Sequence, residues 1–229
     1  MGRQKRIKIK RMIKLLALVS LVFVATSGIF AVARANHGNA LHNATERNNG
    51  NWYGSQATIV WTNPNLKNGQ WVYHRTSTNH DNPGTCFRYS EIGWFKTQQG
   101  LTGLIVWDSG CSRHDLSFAI TAAEHTYRQK YFPGGVDKYE WFVDGARLGD
   151  GQTNFSFGTS VTCGGEVATG VEAMGNTRCG ANKKYKKKPD NTFRWTAWKG
   201  HVDHVDDAPY TNVDDAADPK NSFFSQGNE

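Results

Sequence analysis

Phe87-Arg88-Tyr89-Ser90-Glu91-Ile92-Gly93-Trp94-Phe95-Lys96-Thr97 carries the pattern of an extended strand. Aromatic and β-branched side chains are spread through it at a period of two, and no apolar stripe recurs at helical spacing. Working outward, runs of the same kind appear on both sides: Tyr53 to Thr62, Trp71 to Thr78, Thr102 to Asp108, Leu116 to Thr126, Tyr139 to Asp144, Phe155 to Thr169 and Thr192 to Trp198. Between them stand turn formers such as Asn63-Pro64-Asn65, Asn82-Pro83-Gly84 and Pro133-Gly134-Gly135. Many short strands with regular turn punctuation predict an all-β fold, an antiparallel β-sandwich of two sheets in a single domain. The end of the Leu116 run, at Ala122-Ala123-Glu124, also fits a helix.

The chain has 229 residues, enough for one domain with a substantial core and too few for two large ones. Its formal charge is +7, yet residues 1–35 carry eight cations and no acid, so the remainder stands at −1. A near-neutral body has no global field to attract nucleic acid. The first 35 residues read as an export signal. A cationic segment to Lys14 precedes an uncharged apolar run from Leu15 to Ala33, and Ala33-Arg34-Ala35 supplies a small-x-small cleavage site. Cleavage is expected after Ala35, giving a secreted protein; an uncleaved segment would be the sole membrane attachment. Residues 36–50 are expected to be a disordered lead, 51–200 the sandwich domain and 201–229 a flexible acidic segment.

Cys86, Cys111, Cys163 and Cys179 all lie in the exported part, and none forms a Cys-x-x-Cys pair. Two disulfides between sequence neighbours, Cys86 with Cys111 and Cys163 with Cys179, are expected. Lys183, Lys184, Lys186, Lys187 and Lys188 around Tyr185 predict a solvated hairpin tip. Six Asp between Asp203 and Asp218 lack the spacing of a calcium loop, and His201 and His204 beside Asp203 read as exposed rather than metal-binding. No metal and no organic cofactor is expected, and the chain is expected to be a monomer.

Nucleophile elbows and His-Glu-x-x-His are absent from the sequence, so carboxylates are the remaining candidates for hydrolytic chemistry. In the opening stretch Glu91 shares its face with Phe87, Tyr89, Gly93 and Phe95, while Arg88, Ser90, Ile92, Trp94 and Lys96 point the other way. A carboxyl among rings loses hydration and holds its proton more tightly; the alternative is a structural bridge to an Arg or Lys. In Thr162-Cys163-Gly164-Gly165-Glu166-Val167-Ala168-Thr169-Gly170, Glu166 shares a face with Thr162, Gly164, Ala168 and Gly170, a row of small side chains where a ligand chain could lie. Glu172 has the same parity about 20 Å further along a strand, and Glu140, beside Trp141, is a further competitor.

Four stretches resemble the neprosin domain, the β-sandwich of glutamic endopeptidases. Tyr53-Gly54-Ser55-Gln56-Ala57-Thr58-Ile59-Val60-Trp61 is similar to its opening strand, Glu91-Ile92-Gly93-Trp94 to its Glu-x-Gly-Trp strand, Gly164-Gly165-Glu166-Val167 to its Gly-Gly-Glu-Val strand, and Met174-Gly175 to the Met-Gly that follows. The resemblance covers about residues 52–175 and implies that Glu91 and Glu166 are a catalytic pair. The large activation peptide of the plant members is not expected in this chain, and a prolyl preference is what the resemblance implies for its substrate. Gln56, Tyr89, Trp94, Gly164 and Gly165 are expected to position a polypeptide substrate. Two rival functions remain open at this point: a non-catalytic carbohydrate- or peptide-binding module using the eight Trp and eight Tyr, and a glycosidase using the same two carboxylates.

Overall fold

Cross-strand pairing carries this fold: the described residues form strands and turns, and no helix occurs among them. The computed structural model describes residues 41–67, 69–80, 88–109, 111–168, 176–199, 203–206, 211–219 and 221–226. All belong to one compact unit, Leu41–Glu229. In chain order the strands are β1 (Leu41–Trp52), β2 (Gly54–Ile59), β3 (Trp71–His80), β4 (Arg88–Thr97), β5 (Gly100–Ser109), β6 (Ser112–Phe118), β7 (His125–Tyr131), β8 (Lys138–Val143), β9 (Ala146–Gln152), β10 (Gly158–Ala168), β11 (Thr177–Lys187), β12 (Phe193–Ala197), β13 (Asp203–Asp206), β14 (Thr211–Asp214) and β15 (Phe223–Gln226). A seven-stranded sheet has the order β13-β1-β10-β3-β4-β5-β6. The second runs β14-β15-β11-β2-β7-β8-β9, with β12 paired to β11. Every pairing is antiparallel, so the fold is the expected two-sheet β-sandwich.

Strand parity sets the core. From the first sheet Val72, Ile92, Trp94, Ile105, Val161, Cys163 and Val167 point inward, and from the second Ala57, Ile59, Tyr127, Tyr139, Trp141 and Cys179 meet them. Full burial of one such large apolar side chain stabilises by roughly 1.5–3 kcal/mol, so this layer holds the sheets together. Cys163 of β10 is bonded to Cys179 of β11 across that layer, as expected, and ties one sheet to the other. Cys111 is also disulfide-bonded; Cys86 lies outside the described residues.

The structure departs from the sequence reading in several places. Residues 41–52, largely assigned to a disordered lead, form β1 between β10 and β13. The segment after residue 200, expected to be flexible, supplies β13 to one sheet and β14 and β15 to the other. It is anchored by Asp215 accepting from Arg178 Nε at 2.8 Å. β1, β13 and β14 are too polar to show apolar alternation, whereas β15 buries Phe223 in the core. The run Leu116–Thr126 is split: β6 ends at Phe118 and β7 begins at His125, and the Ala-Ala-Glu segment is an exposed bend rather than a helix. The lysines do form a hairpin, β11–β12, with its turn at Lys188–Thr192. Lys184 is not a solvated tip, however. Its Nζ lies 4.1 Å from the Trp52 ring centroid and donates to Asn48 Oδ1 at 2.9 Å. Residues 1–40, which include the expected export signal, lie outside the described residues, as do His201, Glu172 and Met174-Gly175.

Candidate active site

The face of the seven-stranded sheet turned away from the core is polar along its centre. Register places Tyr73, Arg75, Ser77 and Asn79 of β3 between Glu166, Gly164, Thr162 and Ser160 of β10 and Phe95, Gly93, Glu91 and Tyr89 of β4. Arg75 therefore lies opposite Gly93 on one side and Gly164 on the other. Flanked by two residues without side chains, its guanidinium can reach diagonally to an acid on each neighbouring strand. Nε donates to Glu91 Oε1 at 2.8 Å, and Nη2 donates to Glu166 Oε1. Two carboxyls 75 positions apart in sequence thus meet on one buried cation, whose side chain is 8% exposed against 12% for each glutamate.

Electrostatics follow from this count. Burial pushes the Glu166 carboxyl above its ordinary value; Arg75 opposes that, the Glu91 charge reinforces it, and the net shift is upward. Burial disfavours the charged form of Arg75, but Glu166 and Glu91 outweigh it and hold the guanidinium more firmly protonated than usual. Burial, and then the charge of Glu91, raise the phenols of Tyr73 and Tyr89, so both are neutral donors. Arg75 Nη1 is buried without an acceptor among the described residues. Further along the face, Ser77 Oγ bonds Thr162 Oγ1, and Asn79 Nδ2 donates to Ser77 Oγ at 3.0 Å.

Gly93 is required sterically. A Cβ there would overlap the His74 carbonyl oxygen and stand 2.6 Å from Arg75 Cα. Its bareness also leaves β4 open for the Tyr73 hydroxyl, which donates to Leu104 O at 3.2 Å, opposite Gly93 on β5.

No protein-family model and no curated relative matches the chain. Among solved structures it is similar in fold to SCP-B, a member of the eqolisin family of peptidases, in complex with the tripeptide Ala-Ile-His, at TM-score 0.48 and 6% identity over 84% of this chain and 99% of that one. It is similar to scytalido-glutamic peptidase with a transition state analog inhibitor at TM-score 0.46 and 9% identity, with the same coverages. A Bacillus licheniformis β-glucanase matches at TM-score 0.35 and 15% identity over 55% of this chain and 59% of its own.

Of the residues singled out in sequence, Glu91, Glu166, Tyr89 and Gly164 share the face just described. Three others do not. Trp94 points into the core and is 1% exposed, so it cannot touch a substrate; Ile92 and Trp94 belong to the side of β4 that faces the second sheet. Gln56 lies on β2 of the other sheet, where its Oε1 accepts from Arg128 Nε at 2.8 Å. The parity of Gly165 is that of Cys163 and Val167, so its missing side chain would face the core. The competitor Glu140 is also in the second sheet, bound to Arg147 at 2.8 Å and to Lys130 at 3.5 Å. No cluster of metal-binding side chains occurs among the described residues.

Arg75 escaped the sequence reading. One signal for it exists: a cation at the centre of Trp71-Val72-Tyr73-His74-Arg75-Thr76, a run dense enough in apolar residues to be covered, needs acids on adjacent strands.

Proposed function

We propose that this chain is a secreted, acid-active glutamic endopeptidase of the neprosin-like kind, acting as a monomer on polypeptides through Glu91 and Glu166. The observation that carries this reading is the stoichiometry at Arg75, two carboxyls sharing one buried guanidinium. One buried guanidinium balances the charge of one carboxylate. A second acid in the same low-dielectric place is uncompensated when ionised, so it takes up a proton readily. The pair then offers one ionised and one protonated carboxyl together, the two states that water-mediated peptide hydrolysis requires. The ionised member draws a proton from water as it attacks the peptide carbonyl, and the protonated member donates to the carbonyl oxygen or the leaving nitrogen. Because one proton must stay on the pair, the rate is highest in acid and falls as both carboxyls ionise. The chemistry asks for no metal or organic cofactor. The export-like N-terminal segment and the oxidised cysteines support an extracellular setting.

A stacking surface for sugars has less support, since Trp71, Trp94, Trp141 and Trp198 are fully buried. The test incubates the mature chain with a denatured protein, with proline-containing peptides and with a polysaccharide panel between pH 2.5 and 7, beside Glu91→Gln and Glu166→Gln. Protein cleavage in acid, lost in both folded variants, is the expected result. Cleavage surviving in either variant, or turnover of polysaccharide alone, refutes the proposal.

A further inference from the structure

We infer that one end of the sandwich, where the β7–β8 and β11–β12 hairpins stand side by side, docks on a bilayer rich in anionic lipid, with Phe132 and Val136 entering the apolar layer and Lys186, Lys187, Lys188 and Arg194 pairing with headgroups. This end belongs to the second sheet, so the inference does not depend on the carboxyl pair of the first. It would also reach lipid independently of the N-terminal segment. Backbone pairing fixes the placement. The Tyr131 N–H at the end of β7 donates to Tyr53 O at 2.7 Å, and the Tyr53 N–H donates to Tyr185 O of β11 at 2.8 Å. β7 and β11 are both antiparallel to β2, so they leave the sheet in the same direction and at the same level, two strand spacings or about 10 Å apart. Phe193 of β12 fills the space at their base, its ring lying 5.1 Å from Tyr53, 6.2 Å from Tyr131 and 5.3 Å from Tyr185. Both hairpin tips project beyond this aromatic floor.

One tip is apolar and the other cationic. The β7–β8 loop is closed by the Phe132 N–H donating to Lys138 O at 2.7 Å, and it leaves Phe132 39% and Val136 80% exposed. A single exposed apolar side chain needs no explanation. Here two of the four large ones among the described residues share one five-residue loop. The β11–β12 hairpin, from Lys183 to Ala197, carries six cations and one acid, Asp190. Asp190 is engaged within the turn, accepting from the Thr192 N–H at 2.9 Å and the Thr192 hydroxyl at 2.6 Å. Lys186 lies directly opposite Arg194, a like-charge pairing that weakens a hairpin. Among the described residues neither of these two, nor Lys187 or Lys188, has an ion-pair partner, whereas nearby Lys130 and Lys138 are held by Glu140 and Asp150. Asp137, beside Val136, is the acid of the other tip. A soluble polyanion would satisfy the cations and leave Phe132 and Val136 in water; an anionic bilayer accommodates both, with the tyrosines at the level of the headgroups.

The test co-sediments the mature chain with vesicles of phosphatidylcholine alone, and of phosphatidylcholine with about 30% phosphatidylglycerol, at low and at high salt. Wild type is expected on the anionic vesicles only, with binding that falls as salt rises. Lys186→Gln, Lys187→Gln and Lys188→Gln together lower the partition coefficient about 100-fold, about fivefold for each charge. Phe132→Ser with Val136→Ser lowers it about tenfold or more and leaves the salt dependence as it was. Val213→Ser, at an exposed apolar residue of β14, changes nothing. Thermal unfolding checks that each variant folds; should a multiple variant fail to, the single changes Lys187→Gln and Val136→Ser carry the same comparison at about fivefold each. Equal binding to neutral and anionic vesicles, or none to either, overturns the inference, and so does binding that survives the change at Phe132 and Val136. Binding to soluble polygalacturonate as tight as to vesicles, dependent on the lysines but not on the loop, assigns the hairpin to a polyanion and overturns it as well.

Discussion

Replacing Gly93 with alanine adds one methyl group on β4 directly opposite Arg75 of β3. The added Cβ would overlap the His74 carbonyl oxygen, stand 2.6 Å from Arg75 Cα and 2.7 Å from the His74 carbonyl carbon. All three neighbours are backbone, so no rotamer change relieves the clash and the strands must part locally. Forced backbone shifts of this kind cost about 3 kcal/mol. For a domain of this size that is a fall of about 6–12 °C in Tm. The same displacement moves Arg75 relative to Glu91, whose bond now measures 2.8 Å, and a misplacement of about 1 Å in a reacting group costs on the order of 100-fold in rate. Thermal unfolding of Gly93→Ala beside Gly149→Ala checks the reasoning. Gly149 also lies in a strand, but a Cβ there meets nothing within 4 Å, so its variant should stay within about 0.5 kcal/mol of wild type. A Gly93→Ala variant as stable and as active as the Gly149 control would refute both the steric argument and the link from this glycine to the pair.

Three further outcomes are expected. Glu166 binds its proton more tightly when folded than its ordinary value of 4.5, so its contribution to stability is lost as pH rises above that value. The Tm of Glu166→Gln relative to wild type should therefore increase from pH 4 to pH 7, and a difference that shrinks over that range contradicts the burial argument. Cys163→Ser with Cys179→Ser opens a bridge of sequence separation 16, which should cost about 3 kcal/mol in urea unfolding; a loss under 1 kcal/mol would show that the core layer alone holds the sheets. Glu140→Gln removes a partner of the half-exposed Arg147, so it should cost about 1 kcal/mol or less and leave the pH–rate profile of protein cleavage unchanged, whereas loss of activity would restore Glu140 as a rival to Glu91.

How far the sequence could be read depended on whether a strand announces itself through its own side chains. β4, β8 and β10 place core residues at alternate positions, Ile92 and Trp94, Tyr139 and Trp141, and Val161, Cys163 and Val167, and the same alternation put Tyr89, Glu91, Gly93 and Phe95 on one side. The small residues around Glu166 were likewise legible as a row. Which side of β4 is the core was not, since Phe95 and Tyr89 are as hydrophobic as Ile92 and Trp94; only the facing sheet distinguishes them. β1, β11, β13 and β14 are polar, and a strand held by its neighbours' backbone leaves little trace in its own composition; β15 is only four residues long, although its Phe223 is buried in the core.

By itself the amino-acid order determined a disulfide-bearing β-sandwich and two glutamates in unusual surroundings, because alternation, turn residues and cysteine count are local properties. Tertiary structure alone decided that Arg75 stands between those glutamates, that Gln56 and Trp94 belong elsewhere, and that β10 inserts between β1 and β3. These are matters of strand order and register, set by burying two sheet faces against each other over the whole chain, and no single segment encodes them.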